Sequence, residues 1–226
     1  MRLEVTDVGE GPLVVCLHGM GHSAAIWSDI ATRLSVGYRA VCPDLLGHGS
    51  SPTPPDPASY QRDRCLEDLD EIISAHREVG EVPFLIGHGF GGYLALSYAI
   101  ERASAIRGLA LIGAAAGFES PVAQVEWNDA TLKNAEGFGI DPVACSLGVI
   151  PDSMVFDRLE EVDVPTLIMI GEHDAAFNGA ALIMEARIAD NTLTVIEGAR
   201  HNAHQTHPEE IARLLHPFIR STSTVG

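Results

Sequence analysis

The chain has 226 residues, 46% hydrophobic and 20% charged, the proportions of an ordinary folded domain, so wholesale disorder is excluded. Against 14 Lys and Arg stand 31 Asp and Glu, a formal charge of −17. A surface that acidic repels phosphate, so neither nucleic acid nor a membrane is an expected partner.

The longest apolar stretches, such as Leu109 to Phe118, fall short of the roughly 20 residues of a spanning helix. The first residues, Met1-Arg2-Leu3-Glu4-Val5, run straight into an alternating pattern rather than the apolar core of a signal peptide. Cys16, Cys42, Cys65 and Cys145 are too scattered for a disulfide framework or a CxxC metal knuckle. Cys16 and Cys42 fall in predicted strands, where a free thiol packs as a small hydrophobe. A cytoplasmic protein is the expectation.

Short apolar runs alternate with amphipathic stretches, the pattern of a parallel sheet with crossover helices. In chain order the predicted strands are Arg2–Asp7, Leu13–His18, Tyr38–Pro43, Val82–Gly87, Ile106–Ile112, Thr166–Ile170 and Thr192–Ile196. Leu13–Leu17 and Thr166–Ile170 are apolar almost throughout, as befits strands covered on both faces. The turn Gly9–Pro12 predicts a hairpin between the first two strands. Between Tyr60 and Val79, Leu66, Leu69, Ile72 and Ile73 recur at helical spacing with Asp and Glu on the other face. From Phe118 to Val162 no strand is clear. Trp127, Phe138, Leu147, Met154 and Phe156 lie there among Gly, Pro and Asp, which reads as a short insertion or lid, though a packed helix pair accounts for them equally well. A last helix carries Ile211, Leu214, Leu215, Phe218 and Ile219 on one stripe, and Thr206 with Glu209 three residues on resembles a capping box. The chain thus divides into a first core part (1–117), a lid (118–162) and a second core part (163–226) of one domain.

Three segments carry the chemical signal. The second predicted strand ends in His18-Gly19-Met20-Gly21, small residues that let backbone N–H groups approach developing negative charge. Pro43-Asp44-Leu45-Leu46-Gly47-His48-Gly49 is a tight loop at the same sheet edge, with a structural role expected for Asp44. Gly87-His88-Gly89-Phe90-Gly91-Gly92 follows a strand and opens a helix. Glycines two before and two after a central residue are what a sharp strand–turn–helix elbow demands.

Together these segments resemble the α/β-hydrolase superfamily, in particular its small esterase, enol-lactonase and haloperoxidase-like members. The resemblance runs over almost the whole chain, is weakest from Phe118 to Val162, and lacks a counterpart of the family's first strand. It implies an α/β-hydrolase fold, a mostly parallel central sheet flanked by helices with a short lid insertion. The family order of nucleophile, acid and base then places the acid at Asp174, in Gly171-Glu172-His173-Asp174, and the base at His201, in Gly198-Ala199-Arg200-His201. Taken singly, Asp174 reads equally as a helix cap and His201 as a surface histidine, but both follow consecutive strands in the right order. Backbone N–H groups of Met20 and Phe90 are the implied oxyanion hole, and Gly19, His88 and Trp127 the implied substrate contacts. His22, His48, His88, His173, His204, His207 and His216 are expected in loops or at the surface.

One position departs from the family. Gly89 stands where the family carries Ser, Cys or Asp, and glycine has no side chain to attack a carbonyl. Losing the nucleophile of a triad costs on the order of 10⁶ in turnover, leaving roughly 10³–10⁴ over water. Three readings stay open: an introduced or recent Ser→Gly change, a native site in which His201 activates water or removes a substrate proton, and a silent binding module. A small-molecule substrate is the expected partner. No cofactor is expected. Gly87–Gly92 lacks a phosphate-loop Lys and an acidic ribose partner about 20 residues on, and the His201, His204 and His207 run has no further metal ligand beside it.

Overall fold

The computed structural model describes residues 2–222. Among these, seven strands form one sheet: β1 (Val5–Val8), β2 (Leu13–Leu17), β3 (Arg39–Pro43), β4 (Phe84–His88), β5 (Gly108–Ile112), β6 (Thr166–Gly171) and β7 (Asn191–Ile196). The helices are α1 (Ser28–Leu34), α2 (Arg62–His76), α3 (Phe90–Glu101), α4 (Pro121–Leu132), α5 (Ala135–Phe138), α6 (Met154–Asp157), α7 (Asn178–Arg187), α8 (Ala203–Thr206) and α9 (Pro208–Thr222). The strand order is β1-β3-β2-β4-β5-β6-β7, and all neighbours are parallel except β1 with β3. Each predicted strand is present with small shifts at its ends.

The predicted hairpin does not form. β1 pairs antiparallel with β3, Val5 opposite Pro43 and Val8 opposite Ala40, while β2 lies between β3 and β4. Burial explains the choice. β2 is buried along its whole length and needs a strand on both sides, whereas β1 (Val5-Thr6-Asp7-Val8) keeps its polar residues exposed and suits an edge.

Strand alternation divides the core into two layers. Leu13, Val15 and Leu17 of β2 face α2 and α3, meeting Leu66, Leu69, Leu94 and Leu96. Val14 and Cys16 face the other way, onto Trp27, Ile30, Leu34 and the α9 residues Ile211, Leu215 and Ile219. Helix α2 buries the four residues its spacing predicts, together with Cys65. Helix α9 fully buries Ile211, Leu215 and Ile219, whereas Leu214 and Phe218 are partly buried at the edge of the stripe. Thr206 does not cap it. Thr206 ends α8, its Oγ1 meets the Asn202 carbonyl and His207 Nδ1, and α9 starts at Pro208, a residue with no N–H to cap. No helix among the described residues is long and apolar enough to cross a membrane.

Between β5 and β6 the chain is helical, with no strand among residues 118–162. Asn128 clamps this segment from within, accepting from the Ile150 N–H at 2.8 Å and donating to the Ile150 carbonyl at 2.8 Å. Arg62 of α2 holds it from below through both Asp152 oxygens, at 2.6 and 3.1 Å. The segment is packed down on the loop after β2. A Cβ at Gly21 would lie 2.7 Å from the Phe138 carbonyl oxygen, and one at Gly148 would lie 3.1 Å from the Met20 sulfur. Trp127 donates its indole N–H to the Gly148 carbonyl at 3.2 Å and sets its ring against Phe118.

Asp44 is structural, as expected from its loop. Its carboxylate accepts from the Ala24 N–H at 2.6 Å and the Ser50 N–H at 2.8 Å, joining the loops after β2 and β3. Asp44→Ala leaves two amides without their charged acceptor and is expected to cost about 2–4 kcal/mol. Urea denaturation measures this, and Asp44→Asn, which keeps one acceptor oxygen, should recover part of the loss.

Candidate active site

The site is assembled from the carboxyl ends of β2, β4, β6 and β7, where an open α/β sheet places its ligands. Strand β4 ends at His88, Gly89 makes the turn, and α3 begins at Phe90. Gly89 has φ 53° and ψ −119°, a conformation costly for any residue with a Cβ, about 1–3 kcal/mol. The turn is this tight because α3 comes close to β2. A Cβ at Gly91 would lie 2.3 Å from the Leu17 carbonyl oxygen, so only glycine fits there.

Asp174 follows β6 and His201 follows β7. The buried Asp174 carboxylate accepts a hydrogen bond from His201 Nδ1 at 2.8 Å. A carboxylate only accepts, so Nδ1 carries a proton, and in the neutral ring Nε2 is then the nitrogen with the lone pair. That nitrogen faces the elbow: a Cβ built on Gly89 would lie 3.5 Å from His201 Nε2. Two staples hold the acid and base loops together, the His173 N–H to the Ala199 carbonyl at 2.8 Å and the Gly198 N–H to Glu172 Oε2 at 2.9 Å.

The loop after β2 passes the same place, the Gly19 Cα lying 3.8 Å from the Cβ position of Gly89, with Met20 the next residue. Neither the Met20 nor the Phe90 amide donates a hydrogen bond to another described residue. The buried His18 ring organises this loop. Its Nε2 accepts from the Leu45 N–H at 2.9 Å, so Nδ1 carries the proton and donates to the Gly19 carbonyl at 2.8 Å. That carbonyl and the Met20 N–H belong to one planar peptide, so His18 also fixes where the Met20 N–H points.

Three histidines expected in loops or at the surface are buried. His48, His88 and His204 are 2%, 1% and 0% exposed: His88 and His204 pack on one another where the elbow meets the segment after the base, and His48, still in its loop after β3, packs against His18. His88, expected to touch substrate, instead packs its ring against His22, His201 and His204, with centroids at 5.6, 4.7 and 4.2 Å. Trp127 is held by Gly148 and Phe118, as described above. Gly19 packs against the other side of His88, where an added Cβ would lie 3.0 Å from its Nδ1. Phe177, which the motifs did not single out, stacks on His201 at 4.5 Å and 27°. Its only sequence signal is an aromatic residue three positions after the acid. Among the described residues no group of three His, Cys, Asp or Glu is arranged to hold a metal ion.

A family model described as alpha/beta hydrolase fold matches residues 12–143. The chain belongs to the α/β-hydrolase fold family. Epoxide hydrolase 3 of Siraitia grosvenorii is 35% identical over 48% of this chain, a match that spans only 34% of that relative's length. A Bacillus subtilis protein that bears the name 2-succinyl-6-hydroxy-2,4-cyclohexadiene-1-carboxylate synthase is 26% identical over 98% of this chain and 96% of its own. Among solved structures, MenH from S. aureus superposes with a TM-score of 0.87 at 20% identity, covering 99% of this chain and all of its own. A thermophilic esterase from Thermogutta terrifontis gives 0.86 at 23% identity, covering 98% and 94%. At such identities the structural likeness speaks for the fold.

The buried imidazoles make the protein acid-sensitive. Burial pushes His18 and His204 down to about 3 from an ordinary value of 6.5. Above 6.5 neither the folded nor the unfolded state is charged there, so these groups contribute no pH dependence. Between about 6.5 and 3 the unfolded chain takes up the protons and the folded chain does not. Stability therefore falls with pH in that window, by about 1.4 kcal/mol per pH unit for each such histidine. Urea midpoints between pH 7.5 and 5 should show this slope, and His204→Gln should make it shallower.

Proposed function

We propose that this chain is an α/β-hydrolase-fold enzyme for a small ester, lactone or related acyl compound, working from Asp174, His201 and a backbone oxyanion site without a side-chain nucleophile. The observation that carries this reading is the lone pair of His201 Nε2, aimed at the vacant Cβ position of Gly89 from 3.5 Å while Nδ1 is held by Asp174. A binding protein has no use for a base so held. In the space of the missing hydroxymethyl group a water adds to the substrate carbonyl as its proton passes to Nε2. The oxyanion so formed accepts from the Met20 and Phe90 amides. Collapse of the tetrahedral species expels the alkoxide, which takes the proton back from Nε2. No acyl-enzyme forms. The apolar side chains of the 118–162 segment favour a modest, uncharged substrate.

One specific observation supports a second reading, in which His201 removes a proton from substrate carbon and nothing is hydrolysed. A relative that matches this chain nearly end to end is named a synthase, while others that match it as fully are named methyl ester esterases.

The test is turnover of short activated esters by this chain and by Gly89→Ser. The serine variant should gain at least about 10³-fold, because a hydroxyl at that Cβ lies within reach of Nε2. It should also lose about 1–3 kcal/mol of stability to the positive φ, a loss shared by Gly89→Ala, which gains no activity. Absence of any gain in a folded serine variant overturns acyl transfer. The proton-abstraction reading then predicts a reaction that His201→Ala abolishes and Gly89→Ser does not improve.

A further inference from the structure

Five rings stand in one continuous row through the site. Phe177 stacks on His201 at 4.5 Å, His201 meets His88 at 4.7 Å, His88 meets His204 at 4.2 Å, and His204 meets Trp27 at 4.7 Å. They come from five separate places: the acid loop, the base loop, the elbow, α8 and the turn before α1. His201 is the one member whose reactive nitrogen faces the vacant elbow position, and it is gripped on both sides. Phe177 lies nearly parallel to it, and His88 lies tilted at 52° behind it.

His88 does more than pack. Its Nε2 lies 3.3 Å from the His201 carbonyl oxygen. A carbonyl only accepts, so Nε2 carries the proton and donates, leaving Nδ1 as the bare nitrogen. Among the described residues no hydrogen-bond partner meets that Nδ1 or either nitrogen of His204. Each neighbour in this row opposes a charge on His88, whose protonation is pushed far down by burial, then by His204, His201 and His22. A ring so enclosed stays neutral and keeps a single tautomer. The result is a fixed donor under the backbone of the base residue, one residue from the elbow that the base must serve.

We propose that His88 is a positioning residue for His201, donating from Nε2 to its backbone carbonyl while the His204–Trp27 stack behind holds the His88 ring in place. Asp174 sets the direction of the His201 ring, and His88 sets the height of its backbone over Gly89. This deepens the reading of His201 as the base and rests on it for its catalytic meaning, though the geometry it describes exists whatever the reaction.

Three variants test it. His88→Gln carries an amide N–H to about the position of Nε2. His88→Asn carries the same amide one methylene short, and His88→Leu carries no donor. Nitrogen-15 imidazole spectra read the His201 Nδ1–H directly and need no substrate. That resonance should be slowly exchanging in the parent and in His88→Gln, and should exchange at least about 10-fold faster or vanish in His88→Asn and His88→Leu. If His88→Leu does not fold, the Gln and Asn pair decides. A folded Asn variant with parental exchange overturns the proposal, as does a Gln variant that loses the resonance as Asn does. In the Gly89→Ser background the ester assay adds a second reading. His88→Asn should lower kcat about 10–100-fold with KM unchanged, and His88→Gln should restore it. A KM change without a kcat change would mark His88 as packing or substrate contact and overturn positioning. Failure of Gly89→Ser to hydrolyse esters would overturn the acyl-transfer reading alone, because the spectra are recorded without turnover.

Discussion

The hydrogen bond from His201 to Asp174 is the constraint around which the upper end of the sheet is arranged. At 2.8 Å to a buried carboxylate, it fixes the imidazole tautomer and leaves one lone pair for chemistry. Both partners sit on loops, and loops move unless tied. Here the ties are unusually local: the His173 and Gly198 amides cross between the two loops, and β6 and β7 pair along six residues just below them. The bond can therefore be short because the sheet has already brought its two ends together.

Gly89 sits opposite that lone pair and changes the balance between stability and chemistry. An elbow of positive φ is a strained place for a side chain, and a family that puts its nucleophile there accepts the strain for reactivity. Glycine removes the strain and the nucleophile at once. What stays is a relaxed turn, two amides with no partner among the described residues, and the His201 Nε2 3.5 Å from where a Cβ would stand. On the reading proposed above, such a site forgoes a covalent intermediate and relies on stabilising negative charge and on proton transfer.

The histidines show how the interior supports this site. His18 uses both ring nitrogens to hold the loop of Met20, and His88 spends one of its two on the backbone of His201. Both are neutral because both are buried, and a neutral imidazole can be donor and acceptor at once where a charged one can only donate. The same burial that makes them useful as fixed struts makes the folded state intolerant of acid. The fixed geometry of these rings and acid sensitivity thus have a single physical origin.

Much of this was legible in the residues. Apolar runs marked the central strands β2, β4, β5 and β6, because a strand covered on both faces has no polar side to show. The elbow and the Asp174 and His201 loops could be placed because the resemblance to the α/β-hydrolase superfamily implies their order and each comes at the end of a strand, where a parallel sheet gathers its loops on one side. Spacing along the chain therefore determined which elements form, their order and which loops meet. It did not determine how they meet. The edge position of β1 in place of a hairpin depended on β2 needing partners on both sides. The burial of His88 and His204, the stacking of Phe177 on His201 and the row from Phe177 to Trp27 depend on loops far apart in sequence closing over one another. A local pattern records which face of an element is covered, but not what covers it, and in this protein that second fact is decided only by the packing of the folded chain.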